Sequence, residues 1–242
     1  MRTPHIYLLP GMDGTGRLLG DFCAAILNRE SDSNTPIFDA TILSLPTDLP
    51  NTYDDLTTHF SEKLFRPFAS EKYVIIAESF SGPLAVKLAT ANQGRLAALV
   101  LVATFLKCPA PSIARVLPWS LMFRFPPPEF AVKRLMVGHN APSKTVEMVR
   151  ETVNGISPSI LAQRMRSVLS VDVRREYSQL AIPTFFVEAA HDRMVSRNIQ
   201  SLLSAQKQDT EFAIVDGHHL LLQTKPDETW EEIQRFLVRH VV

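Results

Sequence analysis

The sequence predicts an α/β fold: a doubly wound, mostly parallel sheet of about six strands, interrupted by one helical insertion. Three observations predict it. Short apolar runs alternate with longer amphipathic segments toward both ends of the chain, the pattern of βαβ units. Two runs, Tyr73–Ala77 (YVIIA) and Leu96–Ala103 (LAALVLVA), are continuously apolar, as strands buried on both faces must be. The alternation stops between residues 106 and 175, a proline-rich stretch containing Pro126-Pro127-Pro128, with helical patterns and no strong strand candidate.

The elements follow in order. His5–Leu9 reads as a strand ending at Pro10-Gly11, and Thr15–Arg29 as a helix with Leu18, Leu19, Phe22, Ala25 and Ile26 on one face. Phe38–Leu45 is a strand closed by Pro46, and Tyr53–Phe68 a helix. The strand Tyr73–Ala77 leads to a helix over Gly82–Asn92, then to the strand Leu96–Ala103. After the insertion, Thr184–Ala189 is a strand, Ser196–Ala205 a helix and Glu211–Val215 a strand. Pro226–His240 is a terminal helix with proline in its first turn. Residues 1–105 and 176–242 are thus predicted to form the core, and 106–175 a helical lid.

Composition narrows the class. The 242 residues are 45% hydrophobic and 21% charged, an ordinary globular balance. Net charge is zero, which argues against a polyanionic partner such as nucleic acid. Cys23 and Cys108 make no disulfide framework, and no Cys/His cluster suggests a metal. The apolar run near the N-terminus is too short for a signal-peptide core, and no stretch is long enough to span a membrane. A cytoplasmic protein without metal or cofactor is expected.

Three motifs fall at the C-terminal ends of strands, the edge where open α/β sheets bind ligands. The first is Ala77-Glu78-Ser79-Phe80-Ser81-Gly82. A serine nucleophile needs a sharp strand-to-helix turn with small residues two before and two after it, here Ala77 and Ser81. The helix that follows aims its N-terminal dipole at the site. A serine between strand and helix also serves simply as an N-cap. The second motif is His191-Asp192, where Asp192 offers a carboxylate to orient an imidazole. Asp192 also suits a loop or cap, and Glu188 is a rival that strand alternation places in a wall. The third is Asp216-Gly217-His218-His219, after the last strand. A general base must sit on a loop that reaches back over the nucleophile, and either histidine fits. The order Ser…Asp…His, each after its own strand, fits a nucleophile, acid and base.

These residues carry a resemblance to the α/β-hydrolase superfamily over nearly the whole chain. It is specific at LLPGMDGTG (8–16), AESFSG (77–82), IPTFFVEAAHDRMV (182–195) and VDGHHLLLQTKP (215–226). The resemblance implies a catalytic histidine about seven residues before the last helix's proline, hence His219, with Asp192 as the acid. It implies an oxyanion hole from the backbone N–H groups of Met12 and Phe80. Pro10-Gly11 stands where many members have His-Gly, and Asp13 is read as a cap for Gly14–Arg17. The chain opens directly on the LLPG strand, so the family's preceding antiparallel hairpin is expected to be missing, leaving about six strands rather than eight.

The implied reaction is acyl transfer on a carboxylic ester or thioester through an acyl-serine. The insertion suggests the substrate. Residues 104–175 hold eleven Lys/Arg and four Asp/Glu, a net +7, against a net −7 elsewhere. A basic lid on an acidic body reflects either mutual attraction or recognition of an anionic carrier such as acyl carrier protein or coenzyme A. Trp119, Met122 and Phe123 are candidates for an apolar acyl channel, with Arg124 and Arg166 as charge contacts. A small hydrolase with a basic lid resembles pimeloyl-[acyl carrier protein] methyl ester esterases of biotin biosynthesis, and also small acyl thioesterases. From a different class, a non-catalytic α/β-hydrolase-like binding protein would keep the fold and lose part of the triad.

Overall fold

A computed structural model describes residues 3–27, 38–48, 50–65, 72–195 and 198–242. Its centre is a six-stranded, all-parallel sheet of order β2-β1-β3-β4-β5-β6. The strands are β1 (His5–Leu9), β2 (Ala40–Ile42), β3 (Tyr73–Glu78), β4 (Leu96–Val102), β5 (Thr184–Ala189) and β6 (Glu211–Val215). The helices are α1 (Gly20–Leu27), α2 (Tyr53–Phe65), α3 (Ser81–Ala91), α4 (Trp119–Met122), α5 (Glu129–Val132), α6 (Ser143–Asn154), α7 (Pro158–Ser170), α8 (Arg174–Ser178), α9 (Ile199–Gln206), α10 (Leu221–Thr224) and α11 (Pro226–His240).

The continuous apolar runs do become the doubly covered strands. Every residue of β3 is buried, and its side chains alternate between two layers. Ile75 and Ala77 join Leu99, Leu101, Phe60, Leu84 and Tyr177 on one face. Val74 and Ile76 join Val100, Phe185, Phe22, Trp230 and Phe236 on the other. The terminal helix α11 has Pro226 in its first turn, acids there and Arg239 and His240 in its last, complementing its dipole.

Several boundaries differ from the sequence reading. β2 covers residues 40–42 rather than 38–45, because it is an edge strand whose chain soon leaves the ladder: Leu45 N–H donates to Gly14 O at 2.7 Å. The segment expected as one helix from Thr15 splits into a 3-10 turn at Arg17–Leu19 and α1; its predicted last two residues, 28 and 29, lie outside the described residues. So do 66–68 of the helix after Tyr53 and 196–197 before α9. Between β4 and β5 the described residues form α4 to α8, with short 3-10 and π turns and one isolated antiparallel bridge, Lys107 to Asp172. Among the described residues no helix is long and apolar enough to cross a membrane.

Candidate active site

Ser79 stands where β3 turns into α3, with φ of 50°, a left-handed backbone that non-glycine residues seldom adopt. Such a conformation persists only where surroundings enforce it. Ser79 N–H donates to Val102 O at 3.0 Å, while Ser79 O accepts Gly82 N–H at 3.1 Å and the Thr104 hydroxyl. Ser81, fully buried, donates its hydroxyl to Pro10 O and so ties the turn to the end of β1. That bond gives a reason for serine where the family pattern has glycine.

The strand ends bring three predicted residues into one hydrogen-bonded chain. Ser79 Oγ lies 2.8 Å from His219 Nε2, and His219 Nδ1 lies 2.8 Å from Asp192 Oδ2. The imidazole and the carboxyl are both buried, while Ser79 is partly exposed. Asp192 Oδ1 accepts the N–H groups of Met194 at 2.7 Å and Val195 at 3.0 Å. Burial pushes its pKa up, but the hydrogen bond and charge of His219 and the two amides outweigh burial, so it sits below the ordinary carboxylate value. Backbone bonds hold the loops that carry Asp192 and His219 together: Ala190 N–H donates to Val215 O and His191 N–H to Gly217 O.

The neighbours that competed for these roles go elsewhere. His218 turns away against Gly138, where an added Cβ would lie 2.6 Å from its Cε1. Glu188 accepts a hydrogen bond from Gln200 at 2.8 Å, and His191 pairs with Asp216 at 2.9 Å.

Two backbone N–H groups near Ser79, those of Met12 and Phe80, donate to no group among the described residues. Peptide planarity says where they point. In a trans peptide the N–H runs opposite the preceding C=O. Gly11 O is held by Gly14 N–H at 3.0 Å, so Met12 N–H is turned away from that bond. Ser79 O is held by Gly82 and Thr104, so Phe80 N–H is directed oppositely. The Phe80 carbonyl is itself fixed by Tyr53 Oη at 2.9 Å, whose ring stacks on Phe80. Asp13 accepts Thr15 N–H and Oγ1–H with one oxygen, at 3.4 and 3.1 Å, as a local turn cap.

The predicted substrate contacts from the β4–β5 segment separate into two groups. Phe123 and Met12 each pack against the cluster of Ile156, Ile160 and Leu161, and Trp119 stacks on Phe123 at 5.7 Å between centroids. Met122 and Arg124 are exposed, and Arg166 is exposed with a 3.3 Å bond to Ser120 Oγ. Several other basic residues are engaged internally: Lys133 with Glu129, Arg174 with Asp172, Arg150 with Pro127 O. No three His, Cys, Asp or Glu side chains among the described residues converge as a metal site would require.

Some contributors carry little signal in the sequence. Thr104 and Tyr53 brace the turn through contacts that only the fold creates. Glu78 could have been noticed, as a carboxylate ending a strand otherwise apolar and buried on both faces. It is itself buried, accepting Gln223 Nε2–H at 2.9 Å and Leu222 N–H at 3.4 Å. Burial pushes its pKa up to about 7, against the opposing effects of Gln223, His219 and Leu222.

Comparison with known proteins agrees with this architecture. The chain is similar to the enol-lactonase from Burkholderia xenovorans LB400, at 15% identity and a TM-score of 0.75, covering 98% of this chain and 92% of that one. It is similar to MenH from S. aureus, at 13% identity and 0.76, covering 99% and 95%. A carboxylesterase structure from the thaumarchaeon Nitrososphaera gargenis matches at 15% identity and 0.76, covering 98% and 91%. Identities this low establish a shared fold. No curated protein matches the chain in sequence. The family profile of the serine aminopeptidases S33 matches residues 46–224. The chain therefore belongs to the serine aminopeptidase S33 family and is a hydrolase of the α/β-hydrolase fold.

Proposed function

We propose that this hydrolase cleaves carboxylic esters through a Ser79–His219–Asp192 triad and an acyl-enzyme. The observation that carries the reading is the pair of 2.8 Å contacts, Ser79 Oγ to His219 Nε2 and His219 Nδ1 to Asp192 Oδ2. In this reading His219 takes the serine proton as Oγ attacks the ester carbonyl, and the Met12 and Phe80 amides receive the oxyanion. Asp192 holds the Nδ1–H tautomer and stabilises the imidazolium. The tetrahedral intermediate collapses, His219 protonates the departing alcohol, and water repeats the sequence to release the acid. A complete set of parts favours an enzyme over a non-catalytic binding protein of the same fold.

The β4–β5 segment is the lid in this account. The apolar group of Phe123, Ile156 and Ile160 against Met12 supports an acyl chain lying beside the oxyanion loop. Exposed Arg124 and Arg166 support an anionic carrier, so an ester linked to acyl carrier protein, or a thioester of it or of coenzyme A, is the narrower form of the proposal.

Turnover of a p-nitrophenyl ester series by the native protein and by Ser79→Ala tests the reaction class. Ester hydrolysis that disappears in the variant is expected. Ester hydrolysis equal in both, or cleavage of aminoacyl p-nitroanilides with esters left intact, would overturn it.

A further inference from the structure

Arg164, on α7, is fully buried, though its side chain is among the largest in the protein. Burying a guanidinium is costly unless its donors are satisfied. Here they go to three backbone carbonyls, two of them consecutive, and to one side-chain amide. Nη1 donates to Met12 O at 3.0 Å and to Asp13 O at 2.7 Å, Nη2 to Pro46 O at 3.2 Å, and Nε to Asn51 Oδ1 at 2.9 Å. The Asp13 carboxyl, itself buried, supplies nearby negative charge without a direct ion pair. The same helix holds Asn51 twice more: Asn51 N–H donates to Gln163 Oε1 at 3.3 Å, and Ser167 Oγ donates to Asn51 O at 3.0 Å. The loop is moulded around the guanidinium: a Cβ on Gly14 would lie 2.4 Å from Nη1, and Gly14 has φ of +69°.

Two consecutive carbonyls, of residues 12 and 13, therefore face Arg164, while Gly14 N–H closes back on Gly11 O. Three successive peptide planes are fixed, and with them the direction of Met12 N–H. We propose that Arg164 is a positioning residue for the oxyanion hole, through which the helical segment between β4 and β5 holds the Met12 amide in its working orientation. This rests on the ester-hydrolase reading above. It adds that the segment supplies part of the catalytic geometry as well as covering the site. An amide that must meet a developing oxyanion contributes only when its direction is set beforehand.

The test is the rate at which a fluorophosphonate labels Ser79, with kcat and KM on a p-nitrophenyl ester, in native protein, Arg164→Ala, Arg164→Lys and Gly14→Ala. Arg164→Ala should slow labelling and lower kcat on the order of 10²-fold, as the loss of one oxyanion donor does, with KM within about twofold. Arg164→Lys should recover part of the rate, and methylguanidinium added to Arg164→Ala should recover part as well; a residue needed only for packing would show neither. Gly14→Ala pushes a methyl into the guanidinium from the other side and should give the same loss of kcat with Arg164 in place. Cooperatively folded Arg164→Ala or Gly14→Ala protein labelling at the native rate would overturn the proposal. If Arg164→Ala does not fold, Gly14→Ala decides alone. A native protein that never labels would instead remove the nucleophile assignment, and this inference with it.

Discussion

Thr104 stands so close to Gly82 that a Cβ added to the glycine would lie 2.0 Å from its Oγ1. The same hydroxyl donates to the carbonyl of Ser79, so the space left by Gly82 lets the chain just past β4 brace the serine turn. Gly82→Ala should force Thr104 away and release that carbonyl. Overpacking of this kind costs about 1–3 kcal/mol. A denaturant midpoint lowered accordingly, with slower ester turnover, is expected; unchanged stability would show that the turn can absorb the methyl.

Asp192 fixes the imidazole through Nδ1. Asp192→Asn keeps the shape and offers an amide in place of an acceptor, favouring the wrong tautomer. A fall in kcat on the order of 10⁴-fold with little change in KM is expected, as for triads in general. A variant retaining more than about a tenth of native kcat would place the acid elsewhere.

Glu78 links the site to pH. Its pKa rises from 4.5 in the unfolded chain to about 7 in the fold, chiefly through burial. Between those values the unfolded state has lost the proton and the native state keeps it. Stability therefore falls as pH rises from about 4.5 to about 7, by about 3 kcal/mol, and is level above that. Glu78→Gln should abolish this slope and melt higher than native protein at pH 8, with similar melting at pH 4.5. Parallel melting curves across that range would contradict the assignment.

Arg124 and Arg166 test the carrier reading separately from the chemistry. Charge reversal at both should weaken turnover of a carrier-linked ester by roughly tenfold or more and spare p-nitrophenyl esters. Equal loss on both substrates would remove the carrier.

The core and the proposed triad are legible in the sequence because each depends on local rules. β3 and β4 announce themselves as unbroken apolar runs, and the serine, aspartate and histidine each follow a strand. What is not legible depends on contacts across long sequence separations. Choosing His219 over His218 needs the resemblance or the fold, in which Gly138 makes room for the His218 ring. Arg164 looks like one more basic residue of a charged segment; only the folded chain places it against the carbonyls of Met12 and Asp13, about 150 positions away. The net +7 of residues 104–175 likewise overstates a binding surface, because one of those charges, Arg164, is buried against the loop instead of facing solvent.

Labelling by a fluorophosphonate probe bears most directly on Ser79 as the nucleophile. Native protein should label at one site, peptide mapping should place the adduct on Ser79, and Ser79→Ala should not label. An Ser79→Ala protein that labels as the native does, or a folded native protein that does not label, would contradict the account.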